Sequence, residues 1–309
     1  MHENDFCLPP WRGTQISGQL KVNGTLLSWS EFGWGEPLVL LHGELADQRA
    51  WQMHMRILGR HYRTIAYTQR HFGARAGLGA EAPCDIGLYA ADLADFIDQL
   101  SAGPVHLVAC SFSAHVALRA ALDYPDRVRS LLLFEPSAPG RRADDTDARI
   151  YGRDANAIYG PVLTALRRAD AGAAVRCLID AYGLSHGYFD RQTSHARAIQ
   201  MDNAHTVSLP SGLPSLPGLE QTARLTLPVG VVTGRTCRPA FELTARDLLQ
   251  ALSDGRRILV PNASHMWPGE DPAGFCATVA AFLEALRPVR RPLAPVHRQI
   301  AGIARQTVY

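Results

Sequence analysis

The stretch His106-Leu-Val-Ala-Cys-Ser-Phe-Ser-Ala114 runs as an apolar strand into a serine and continues directly into the apolar-periodic segment from Phe112 to Leu122. A strand that turns at once into a helix puts the turn residue on a tight backbone. The residues two before and two after it must then be small, because the chain passes within contact distance of them. Ala109 and Ser113 meet that requirement around Ser111. Shifting the frame to Cys110 puts Val108 and Phe112 at those offsets, and shifting it to Ser113 puts Ser111 and His115 there. Ser111 is therefore the candidate nucleophile.

The elbow sits in a chain that alternates strand and helix. Gly18 to Glu31 predicts two antiparallel strands around the Asn23-Gly24 turn, and Leu38 to Leu41 is a buried strand ending at His42-Gly43. A helix near Gln48 to Leu58, a strand Arg63 to Tyr67, a helix Tyr89 to Leu100, a strand Val105 to Cys110 and a strand Arg129 to Phe134 follow. Strands apolar on both faces belong in a mostly parallel sheet flanked by helices, an α/β class. From Ala138 to Thr222 no strand signal recurs. Helical patches (Ala155 to Arg168, Ala171 to Tyr182, Arg191 to Met201) lead into a connector rich in Pro, Gly, Ser and Leu. Alternation resumes with Val229 to Val232, a helix Phe241 to Leu252, a strand Arg257 to Val260 and a helix Pro272 to Leu286.

Composition narrows the function classes. With 47% apolar and 19% charged residues, the chain of 309 is neither disordered nor fibrous. A net charge of +2 is too balanced for nucleic-acid or membrane-surface binding to dominate. The six cysteines show no C-x-x-C pair, no export signal precedes them, and no apolar run approaches the ~20 residues that span a bilayer. Reduced thiols and a cytoplasmic protein are the expectation. The tail from Arg287 carries five arginines and no acid. It reads as loosely docked, with a dimer arm as the alternative.

With the Ser111 elbow, Leu41-His42-Gly43, Tyr124-Pro125-Asp126-Arg127-Val128 before a strand, and Ala263-Ser264-His265 near the end, the chain resembles the α/β-hydrolase superfamily. The resemblance implies the α/β-hydrolase fold, with a core over residues 18–139 and 223–286. A helical cap would span 140–222, an N-terminal extension 1–17 and the basic tail 287–309. The elbow here is A-x-S-x-S where the family usually has G-x-S-x-G.

A serine hydroxyl needs a neighbouring imidazole to take its proton. Among twelve histidines, His265 follows the last strand and precedes the final helix, where the family carries its base. The acid usually follows the strand ending Val231-Val232-Thr233-Gly234, but Arg235-Thr236-Cys237-Arg238 holds no carboxylate. Leu131-Leu-Leu-Phe-Glu-Pro136 instead ends in one at the ligand-binding edge of the sheet, where certain lactone hydrolases and haloalkane dehalogenases place it. Glu135 completes the order Ser, acid, His, with Glu242 and Asp247 as fallback acids. By resemblance the backbone N–H groups of Glu44 and Phe112 are the oxyanion donors. A carboxylate at Glu44 should then point away or be neutralised, with Arg70 the candidate partner.

No histidine pair has a zinc spacing, so neither metal nor cofactor is implied. Cap residues Tyr151, Tyr159, Tyr182, Tyr188, Phe189 and Met201, with Trp267 beside His265, suggest an apolar or aromatic small-molecule substrate; the cap residues serve equally as a small core of its own. The first functional expectation is a cofactor-free serine hydrolase acting on an ester or lactone. The second is a lyase, C–C hydrolase, dehydratase or cyclase using the same residues for proton transfer. The third is a non-catalytic receptor. Dehalogenase and epoxide hydrolase chemistry need an aspartate at the position of Ser111.

Overall fold

The structure is a computed structural model, and it describes residues 14–74, 84–137, 145–208 and 219–287. Most of the N-terminal extension, the 209–218 connector and the basic tail from 288 lie outside the described residues.

Eight strands form one sheet: β1 (Ile16–Val22), β2 (Thr25–Phe32), β3 (Glu36–Leu41), β4 (Tyr62–Tyr67), β5 (Val105–Cys110), β6 (Val128–Phe134), β7 (Val229–Gly234) and β8 (Gly255–Val260). Their order is β1-β2-β4-β3-β5-β6-β7-β8. The β1–β2 hairpin turns at Asn23-Gly24, and β2 meets β4 antiparallel. From β4 through β3 to β8 every pairing is parallel. The apolar central strands require this arrangement, since each must be covered on both faces. In β5, Val105, Leu107 and Ala109 enter one hydrophobic cluster while Val108 and Cys110 enter the other. Residues of β3 and β6 divide in the same alternating way.

One face is covered by α2 (Ile86–Gln99), α3 (Ser113–Asp123) and α9 (Pro239–Ala251), through Leu93, Phe96, Leu118 and Leu248. The other is covered by the short α1 (Gln52–Leu58) and by α10 (Pro272–Glu284), through Met55, Leu58, Phe275 and Val279. Between β6 and β7 lie α4 (Asp145–Arg167), α5 (Ala171–Tyr182), α6 (Tyr188–Arg191), α7 (Ser194–Asp202) and α8 (Leu219–Thr222). Helix α4 begins ten residues before the expected patch. That extra length is polar, so apolar periodicity could not reveal it. This insertion packs its own core of Ile158, Val162, Val175 and Leu178, and Leu45 and Phe241 reach it from the sheet domain. Among the described residues no helix is long and apolar enough to cross a membrane.

Candidate active site

Ser111 follows β5 with φ at +54°, a left-handed conformation that a serine adopts only where the surroundings enforce it. Its N–H donates to Phe134 O at 2.9 Å, tying the turn to β6. Ser113, where the family usually has glycine, is fully buried and spans the elbow. Its Oγ accepts the Cys110 N–H at 3.0 Å and lies 2.9 Å from Cys110 O and 3.0 Å from Leu41 O, either of which can take its proton. A serine therefore fits the small-residue requirement and adds a brace between β3 and β5.

The opposite lip is Gly43, where an added Cβ would lie 3.3 Å from Cys110 O and 3.5 Å from Ser111 Cβ. His42 fixes this loop from behind: its Nδ1–H donates to Gly43 O at 2.9 Å and its Nε2 accepts the Gln69 N–H at 3.0 Å. Both bonds suit a neutral ring, and burial pushes the His42 pKa down to about 4. The backbone N–H groups of Glu44 and Phe112 flank the elbow, and neither has an acceptor among the described residues. Two free donors beside a serine can receive a developing negative charge.

Glu135 directly follows β6 with φ at +39° and is completely buried. One carboxylate oxygen accepts the Nδ1–H of His265 at 2.8 Å, and the other accepts the Gly234 N–H at 3.0 Å. A carboxylate accepting at Nδ1 assigns the ring proton there and leaves Nε2 as a base. The imidazole packs against two aromatic rings: Phe241 of α9 stacks at 4.2 Å and Tyr182 of α5 packs at 4.6 Å. Ser111 Oγ is buried with no hydrogen-bond partner, while Ser111 and His265 line the same cavity of about 680 Å³. The serine-to-imidazole bond is thus not formed in this structure, as is common before substrate binds.

The fallback acids stand elsewhere. Glu242 pairs with Arg257 on the surface, and Asp247 lies beside Arg246. The turn after β7, without its usual carboxylate, anchors the helical insertion. Arg238 donates to Asp154 Oδ1 of α4 at 2.6 and 3.1 Å and to Ala181 O at 2.9 Å.

Two expectations are corrected. Arg70 does not reach Glu44; it is held in a buried pair with Asp92 at 2.7 Å, and Tyr182 instead donates its hydroxyl proton to Glu44 at 2.6 Å. Trp267 does not face the cavity. It packs on Phe134 at 5.8 Å and Phe275 at 5.5 Å, because its large apolar surface is better covered in the core, and its neighbours Met266 and Pro268 line the cavity. Of the aromatics in the helical insertion, Tyr182 and Tyr188 line the cavity, whereas Phe189 lies in the insertion's own core. Phe241 and the Gly234 N–H were not legible as site groups, since neither carries a pattern distinct from ordinary helix and strand. Among the described residues no group of three or more His, Cys, Asp or Glu could hold a metal ion.

The profile of the alpha/beta hydrolase family matches residues 38–278, which takes in the elbow, β6 and the His265 loop. The chain belongs to the α/β-hydrolase family. Within it, this hydrolase-family protein is 31% identical over 164 residues to a 2-hydroxy-6-oxo-2,4-heptadienoate hydrolase of Pseudomonas putida, covering 50% of this chain and 54% of that one. The match thus spans about half the length of that relative. An N-formylmaleamate deformylase of Pseudomonas putida is 26% identical over 283 residues, covering 86% and 96% of the two chains. Among solved structures, an esterase from Rhodococcus sp. ECU1013 superimposes with a TM-score of 0.71 at 20% identity, covering 88% of this α/β-hydrolase chain and 99% of its own.

Proposed function

We propose that the protein is a cofactor-free serine hydrolase that cleaves a carboxylic ester or lactone of an apolar or aromatic small molecule through an acyl-enzyme. The observation that carries this reading is the 2.8 Å bond from His265 to the buried Glu135, on the same cavity as a serine held at positive φ. Ser111 Oγ attacks the carbonyl carbon as its proton passes to His265 Nε2. Glu135 keeps the imidazole oriented and stabilises the imidazolium. The N–H groups of Glu44 and Phe112 take the negative charge on the carbonyl oxygen. His265 then protonates the leaving oxygen as the C–O bond breaks, and a water molecule repeats the sequence to release the acid. The helices over residues 145–208 serve as a cap that excludes water and shapes the cavity.

Replacing Ser111 with alanine should abolish turnover of a p-nitrophenyl ester above the uncatalysed rate. Near-wild-type activity in that variant would refute the assignment. A second reading, C–C bond hydrolysis, is favoured by the similarity to the heptadienoate hydrolase. It uses the same serine, imidazole and carboxylate. Loss of the chromophore of a 2-hydroxy-6-oxo-2,4-dienoate, together with failure to hydrolyse any ester or lactone, would select it.

A further inference from the structure

We infer that Glu44 selects a positively charged substrate: an ester with an ammonium group a few bonds from its scissile carbonyl. This rests on the serine-hydrolase reading for the place of the carbonyl, while the charge requirement follows from the cavity itself. Glu44 is needed at the oxyanion loop only for its N–H, yet it lines the cavity together with Ser111 and His265, and its carboxylate meets the hydroxyl of Tyr182, another lining residue. A carboxylate beside a developing oxyanion opposes the reaction of a neutral substrate. Burial raises its pKa, against the opposing pull of the Tyr182 hydroxyl and of His265, so the unliganded site leaves it under-compensated.

Among the described residues no arginine or lysine answers that charge, and the one electrostatic pull on it comes from His265. Among the described residues Glu44 makes no ion pair, and its one hydrogen bond is the Tyr182 hydroxyl at 2.6 Å. Arg49, on the same cavity, is taken by Asp47 at 2.7 Å and Asp202 at 2.8 Å. Arg191 is exposed and committed to His186 O and Ser185 Oγ. Tyr182 and Tyr188 also line the cavity, and aromatic faces attract cations. Tyr188 donates to a second carboxylate, Glu270, at 2.6 Å. An ammonium group bound there supplies the counter-charge Glu44 lacks and offsets the charge that builds on the carbonyl oxygen.

The test uses two ligands of one shape, (3-hydroxyphenyl)trimethylammonium and 3-tert-butylphenol, titrated calorimetrically into the full chain at pH 7. The wild type should bind the cation tighter by about tenfold or more, as a charge-assisted contact in a sheltered cavity provides. Glu44→Gln should reduce the preference to less than about threefold, and Glu44→Asp should keep part of it. Equal or tighter binding of the neutral ligand by wild type would overturn the inference even if no variant folds, and so would an undiminished preference in folded Glu44→Gln. The kcat/KM ratio for butyrylthiocholine over 3,3-dimethylbutyl thiobutyrate should follow the same order. If Glu44→Gln slowed both thioesters equally, Glu44 would be serving the His265 imidazolium and selection by charge would be refuted. Absence of thioester turnover with the binding preference intact would count against the serine-hydrolase reading alone.

Discussion

Glu135 comes directly after β6, yet its carboxylate accepts the backbone N–H of Gly234, the residue that ends β7, at 3.0 Å. The proposed acid thus sits one strand earlier than usual and is held by the strand that usually carries it. The bond is available because the turn after β7 folds closely onto the His265 loop: a Cβ on Gly234 would fall 2.0 Å from Ala263 O.

Glu135→Gln should lower kcat on an aryl ester by about 10²- to 10⁴-fold, because an amide cannot hold the required tautomer and charge of His265. Glu242→Gln, which disturbs only an exposed pair with Arg257, should stay within about twofold. Steady-state kinetics on both variants decides between the two strands, and the reverse ranking would return the acid to β7.

Gly234→Ala should be destabilising by about 2 kcal/mol or more, since the Cβ meets backbone with no flexible group to give way. Thermal denaturation measures the loss, and an unchanged melting temperature would show that the turn has room the structure denies it.

Asp154→Ala should lower stability by about 1–3 kcal/mol by leaving the Arg238 guanidinium uncompensated at a site only 13% exposed. A denaturant titration checks this, and a loss within about 0.3 kcal/mol would mean that the pair does not anchor the helical insertion.

Burial depresses the pKa of His42, His54 and His115 from 6.5 to about 4. The unfolded chain therefore binds more protons between those values, and stability present above pH about 6.5 is lost as pH falls towards about 4. Melting temperatures should be level from pH 8 to 7 and fall steadily from 6.5 downward. His115→Gln should make that fall shallower, and identical slopes would show that His115 is not buried as a neutral ring.

Much of this architecture was legible in the sequence because its signals are local. The apolar runs of β3 to β7 need cover on both faces, Asn23-Gly24 fixes a hairpin, and the small residues around Ser111 identify a tight turn whatever the rest of the chain does. Glu135 could be singled out because a carboxylate closing an apolar strand must find a partner. The contacts that complete the site are non-local. Tyr182 comes from the insertion and Phe241 from α9, and nothing in their own segments reveals that both pack on His265. Arg70 and Trp267 were misplaced for the same reason: each is chemically suited to the cavity, but Asp92 offers Arg70 a bidentate buried partner, and Phe134 and Phe275 offer Trp267 more apolar contact.

Labelling with an uncharged alkyl fluorophosphonate, followed by peptide mapping, tests the nucleophile and its base together. A single adduct should map to Ser111, vanish in Ser111→Ala, and form at least about 10²-fold more slowly in His265→Ala and Glu135→Gln. An adduct at another residue, or labelling of Ser111 at an undiminished rate without His265, would contradict the proposed chemistry.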